Sequence, residues 1–170
     1  MNKIALSVGY PMGSAEYEGK SYYVIESQSK YIHLNVYDVN TWAKLVPPYD
    51  EDLVEDDVYI ERLVSAGAAV IASDLNELLT RIMKYKLYRQ GIPVMKAEDS
   101  VIHEISIGDT VIQVNDQQML IWRAGNGRTT VSTIYEKIVA ENTEEISQQQ
   151  ENQFIENILY LVSKEVLYLV

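Results

Sequence analysis

The chain contains no cysteine, a single phenylalanine, two tryptophans and only four prolines. Without cysteine it can form neither disulfides nor thiolate-held metal centres, and it fits a reducing, cytoplasmic address. Long apolar runs are also missing. None approaches the roughly 18 uncharged residues of a membrane span, and the opening MNKIALSVGYPMG has too short an apolar core for a secretion signal. Neither a membrane partner nor export is therefore expected. Positive charge is scarce as well: 14 lysines and arginines face 25 aspartates and glutamates, for a net charge of −11. Residues 1–73 hold 5 basic and 11 acidic residues, 74–99 hold 5 and 4, and 100–170 hold 4 and 10. Two acidic blocks flank a mildly basic stretch, and acidic blocks repel phosphate backbones. Nucleic acid is accordingly a poor partner for most of the chain.

What is present is a core and a repetition. Hydrophobic residues make up 47% of the chain, enough to bury a real interior. The stretch LNVYDVNTW, Leu34 to Trp42, returns eighty residues later as VNDQQMLIW, Val114 to Trp122. Both place a tryptophan seven positions after an asparagine. Before the second stretch, Val101 to Ile107 and Thr110 to Val114 read as two strands around Gly108-Asp109, a hairpin signal. Asn115 suits a helix N-cap, with Gln118 at the capping-box position. Gly125-Asn126-Gly127 predicts a helix stop, and Thr129 or Thr130 a new cap. Ser147 and Gln150 form a second capping box before the apolar face Phe154, Ile155, Ile158, Leu161 and Val162. Val166 to Val170 predicts a final strand.

The earlier stretch has matching neighbours. Tyr22 to Ile25 and Tyr31 to Leu34 predict a hairpin, Asn35 a helix cap, and Pro47-Pro48 a helix end. LVSAGAAVI from Leu63 aligns with LVSKEVLYL from Leu161, each a helix running into a strand. From tryptophan to the aligned leucine is 21 residues in the first copy and 39 in the second. The middle of the first copy must be shortened, with one helix reduced or lost. The expected fold class is α+β: two winged-helix-like repeats, 1–73 and 100–170, joined over 74–99 by a connector helix running from Asp74 to Arg89.

No residue set supports catalysis, a cofactor or a metal. His33 and His103 lack further ligands at workable spacing. YDEDLVEDDVY, Tyr49 to Tyr59, is acidic but lacks the glycine and spacing of a calcium loop. Gly-Asn-Gly follows a helix rather than a strand, so phosphate cradling is not expected there. The basic run RIMKYKLYRQ, Arg81 to Gln90, interleaves Arg81, Lys84, Lys86 and Arg89 with Tyr85 and Tyr88. That mixture can hold phosphates and stack bases, or simply form a solvated helix surface. Thirteen tyrosines against one phenylalanine favour half-buried rings whose hydroxyls stay in water, as at interfaces.

From Glu104 onward the chain resembles the PqqD family, the peptide chaperones of pyrroloquinoline-quinone biosynthesis, and related recognition elements of ribosomal peptide-modifying systems. The hairpin, VNDQQMLIW, NGRTTVSTI (Asn126 to Ile134) and the last amphipathic helix carry the resemblance, over about 65 of the 170 residues. Asn126 departs from the family's acidic residue, and the apolar run Val166 to Val170 departs from its glycine-containing turn. The resemblance implies a non-catalytic module that takes a leader peptide as an added strand. The matching positions are the edge strand at Thr110, Ile112 and Val114 and the last helix at Phe154, Ile158 and Leu161. All six are equally the expected core. A proline at Ile112 would test the edge if that residue offers its N–H outward, unless the N-terminal strand Lys3 to Val8 already covers it. The alternatives are a winged-helix transcription regulator and a subunit of a larger assembly. Glu151, Glu156 and one lysine make the last helix poorly suited to a DNA groove.

Overall fold

The computed structural model describes residues 3–45, 58–94, 102–140 and 146–170. The protein is a mixed α+β chain with six helices and four small antiparallel sheets among the described residues. It divides into two compact units, Met1–Tyr85 with Leu169–Val170, and Lys86–Tyr168. The boundary falls inside the stretch expected to be a connector. No described helix is long and apolar enough to cross a membrane.

In the first unit, β1 (Ile4–Ser7) pairs with β5 (Ala69–Ala72), and β2 (Tyr10–Tyr17), β3 (Lys20–Ser27) and β4 (Lys30–Leu34) form a meander. The helices are α1 (Val36–Lys44), α2 (Val58–Ala66) and α3 (Leu75–Ile82). Ile25, Leu34, Trp42, Leu45, Ile60 and Leu63 are buried together as its core. The turns explain the meander's register. Glu18-Gly19 and Gln28-Ser29 both have positive φ throughout, the two-residue turn whose twist matches that of paired strands.

In the second unit, β6 (Lys86–Arg89) lies between β10 (Asn126–Thr130) and β11 (Leu167–Leu169). A second sheet holds β7 (Ile92–Val94), β8 (His103–Ile107) and β9 (Thr110–Val114) in that order. The helices are α4 (Asp116–Ala124), α5 (Val131–Ile138) and α6 (Gln148–Ser163). Both expected capping boxes form, Asn115 with Gln118 and Ser147 with Gln150. Each satisfies backbone donors that a helix start otherwise leaves open.

Among the described residues the two units have four strands, a tryptophan helix and a last helix into a strand in the same order, with β10 and α5 added in the second. They also share their anchoring bonds. Trp42 Nε1–H donates to the Val8 carbonyl at 2.9 Å, and Trp122 Nε1–H donates to the Gln90 carbonyl at 2.9 Å. Val8 N–H reaches Ala68 O, as Gln90 N–H reaches Val166 O, both at 2.9 Å. Ser7 N–H bonds Leu45 O, and Arg89 N–H bonds Gly125 O. The Leu-Val-Ser helices close alike, with Ala68 N–H on Leu63 O and Val166 N–H on Leu161 O. In both units the tryptophan helix is pinned to the residue preceding a glycine, Gly9 or Gly91.

Several sequence expectations need correction. The connector helix is only eight residues long, capped by Asp74, and Lys86–Arg89 is a strand. Two strands flank β6, and Leu87 is fully buried, so the helical spacing of the basic run is overridden by tertiary pairing. Gly125-Asn126-Gly127 does stop α4, with Gly125 as its cap, and strand β10 begins at Asn126. The final strand covers Leu167–Leu169 only. The Pro47-Pro48 helix end and most of the acidic run fall in 46–57, outside the described residues. So does the interval where the first copy was expected to be shortened.

The start of α3 makes a pH test. Glu77 accepts from the Ser73 backbone N–H at 2.7 Å and pairs with Arg81 at 2.6 Å. The Ser73 amide first, and Arg81 second, pull its carboxyl from the usual 4.5 to about 2. A carboxylate depressed in the fold contributes stability above its unfolded value and loses it as pH falls through the folded one. The Glu77 side-chain carbon followed by NMR should therefore titrate near 2. A midpoint at 4.5 would show these bonds absent in solution.

Candidate functional site

Strand β9 ends its sheet, so among the described residues one of its sides has no strand partner. Which residues offer backbone groups on that side follows from the turn. Gly108 (φ 55°) and Asp109 make a two-residue turn, and Ile107 faces Thr110 across it as a hydrogen-bonded pair. Pairs then alternate. Ile105 with Ile112 and His103 with Val114 bond across the hairpin, whereas Val111 and Gln113 turn their N–H and C=O outward. The Gln113 carbonyl indeed accepts from Tyr160 Oη at 2.9 Å.

A groove of about 650 Å³ runs between this edge and the C-terminal end of α6. Thr110 to Gln113 line one side, and Tyr160, Ser163, Lys164 and Glu165 the other. Ser163 Oγ donates to the Tyr160 carbonyl at 2.7 Å, and Lys164 Nζ lies 5.5 Å from the centre of the Tyr160 ring. Glu165 (φ 56°) turns the chain sharply toward β11. Val111 is 54% exposed. Chemically, the edge offers backbone donors and acceptors, an exposed valine, a phenol that can release its acceptor, and a cation. No nucleophile paired with a base lines it.

The six residues predicted from sequence are only partly here. Thr110 is exposed and Ile112 lines the groove floor, but Val114 is buried. Phe154, Ile158 and Leu161 are at most 2% exposed, so no partner's side chain can rest on them. Phe154 meets Tyr135 edge-on at 5.4 Å. Nearby, the Tyr135 phenol is pushed up to about 12 by burial, reinforced by its bond to Glu151. Asn157, the buried polar residue on α6, is held by the amides of Gln117 and Gln118 on α4. The helix face at the groove is Tyr160, Ser163 and Lys164, roughly a third of a turn around the helix from the predicted one. Ile112 also directs its N–H to β8, so a proline there tests the hairpin, not the edge. Val111, whose N–H points away from β8, is the position where a proline probes the edge. The N-terminal strand β1 pairs with β5.

The signal for these residues was in the sequence. A two-residue Gly-Asp turn fixes which strand positions face outward, and Tyr160 and Lys164 stand one helical turn apart. His103 meets Asp116 at 2.8 Å, and His33 packs on Tyr22, with ring centres 5.9 Å apart. A larger and more apolar hollow of about 710 Å³ has Leu120, Ile134 and Ile138 in its lining. Comparison of the chain with protein-family models, curated proteins and solved structures found no match in any of the three.

Proposed function

We propose that the protein is a non-catalytic binding module, built from two winged-helix-like units, that takes an extended peptide as a fourth strand beside β9. The observation that carries this reading is the β9 edge with its outward backbone at Val111 and Gln113, open onto a groove against α6. Strand addition needs such an edge, and natural proteins usually charge or cover theirs. Thr110–Val114 carries no charge, and only the Tyr160 hydroxyl touches its outward side among the described residues. The resemblance to PqqD-like recognition elements points the same way and makes a leader peptide the favoured ligand class. Backbone bonds would supply affinity, and the Tyr160–Lys164 face would select side chains.

Proline at Val111 removes an outward N–H without touching a bond to β8. Peptides selected on the wild-type protein from a display library of short random sequences should lose binding to Val111→Pro by about tenfold or more. Circular dichroism should show the same fold and a similar melting temperature for both proteins. Undiminished binding to a folded Val111→Pro protein would place the peptide site elsewhere.

A further inference from the structure

The first unit has its own edge and its own groove. Strand β4 ends the β2-β3-β4 sheet, and the Gln28-Ser29 turn makes Ser27 and Lys30 its closing pair. By the same alternation, Tyr31 and His33 direct their backbone groups outward. A groove of about 610 Å³ lies between β4, the end of α2 and the end of α3. Its apolar lining includes Ile32, Val64 and Ile71, all half-buried. Where the second unit has Tyr160, aligned Leu-Val-Ser places Arg62, which turns instead to Asp38 at 3.0 Å. Among the described residues, then, no side chain holds the outward carbonyl of His33.

The charge of this groove differs from that of the chain. Among the described residues Lys30, Arg81 and Lys84 line it and no carboxylate does, although acidic residues outnumber basic ones 25 to 14 overall. Arg81 is compensated by Glu77. Lys30 and Lys84 have no acidic partner among the described residues, and Lys84 Nζ sits 5.5 Å from the centre of the Tyr85 ring. The third wall, from Thr80 to Tyr85, has no counterpart at the β9 groove. Tyr85 is 3% exposed, which makes that wall a fixed part of the unit. Two ammonium groups over an apolar floor, with no carboxylate beside them and no strand paired to the edge among the described residues, are complementary to one kind of ligand. That ligand is a peptide strand alternating carboxylates with apolar side chains. A phosphate backbone offers the charge but no strand to pair.

We infer that the first unit holds a second peptide site, between β4 and the ends of α2 and α3, selective for an extended acidic peptide. This site shares no residue with the β9 groove, so either can fail without the other. The test uses the full chain and fluorescence anisotropy with three labelled probes. These are a peptide alternating valine and glutamate, its counterpart with glutamine for glutamate, and a single-stranded oligothymidylate of equal length. The glutamate peptide should bind at least about tenfold more tightly than either other probe, and more weakly as salt rises. Lys30→Gln with Lys84→Gln should remove that preference, while Val111→Pro should leave it intact. Both lysines are exposed, and their replacement should leave the melting temperature unchanged. The inference is overturned if the glutamine peptide binds equally, if the oligothymidylate binds best, if no glutamate peptide binds, or if the double variant keeps the preference.

Discussion

Replacing Trp122 by alanine should destabilise the second unit by about 3–5 kcal/mol, the range for deleting a large buried aromatic side chain. The indole is 2% exposed, so nearly all of its apolar area is withdrawn from water. Alanine would leave a cavity that the β6 strand and α4 cannot close, because both are fixed by other bonds. Arg89 N–H already holds the Gly125 carbonyl at 2.9 Å, and Gln90 N–H holds Val166 O. Two smaller losses add to the cavity. The Gln90 carbonyl would lose its indole donor, and the Arg89 guanidinium, 5.0 Å from the ring centre, would lose its aromatic face. Trp122→Phe separates these effects. It keeps most of the packing and drops the N–H, and should cost only about 1–2 kcal/mol. Urea unfolding followed by far-ultraviolet dichroism, with the slope held against wild type, measures both. If Trp122→Ala lowers stability by no more than Trp122→Phe, the ring is not the core anchor described here.

The parts of this architecture that were legible in the sequence are those whose chemistry is local. Asn115 and Gln118 cap a helix through bonds spanning three residues, and Gly108-Asp109 turns a hairpin within four. The two tryptophan stretches and the Leu-Val-Ser pair could be aligned because each fixes a short element at a set spacing. What escaped depends on distant pairing. Strand β1 finds its partner β5 about sixty-five residues away, and a proline and several glycines just after β1 obscured β2. KLYR looked helical because lysines, arginines and tyrosines recur three and four apart. Leu87 settles its fate instead, since its burial between β10 and β11 outweighs a weak local preference. The groove was half legible for a related reason. A strand that buries Ile112 and Val114 must turn the backbone of Val111 and Gln113 outward, but apolar periodicity marks the buried residues and not the outward backbone. Phe154, Ile158 and Leu161 carry the same periodic signal because a helix commits such residues to its own core first.

Substitution of Gly91 by alanine should be nearly as damaging as loss of the tryptophan, although it adds only one methyl group. Gly91 has φ of +91°, a conformation that side chains rarely adopt, and holding alanine there costs about 1–3 kcal/mol. The new Cβ would also stand 2.8 Å from the Ser106 carbonyl oxygen and 2.8 Å from Ile105 Cγ2. The first of these is backbone within the β8 strand and cannot step aside without disturbing its pairing with β7 and β9. Overpacking of this kind adds a further cost of about 1–3 kcal/mol. Gly9 is the matching residue of the first unit, at φ +113°, and its Cβ would meet Ile25 Cδ1 at 2.8 Å and the Glu26 carbonyl at 3.3 Å. There the tight contact is the far end of a flexible side chain, which can change rotamer. Gly9→Ala should therefore cost less than Gly91→Ala by about 1 kcal/mol or more. Gly108, at φ +55° with nothing within 4 Å of its Cβ, serves as the control. Asparagine there meets the positive φ but no neighbouring atom, so Gly108→Asn should carry only backbone strain and cost less than the other two. Urea midpoints for the three variants should fall in the order Gly108→Asn, Gly9→Ala, Gly91→Ala, from highest to lowest. If Gly91→Ala unfolds at the midpoint of Gly108→Asn, the close passage of the chain over β8 does not exist in solution. The β7-β8-β9 sheet would then need a different path, and with it the outward edge at Val111.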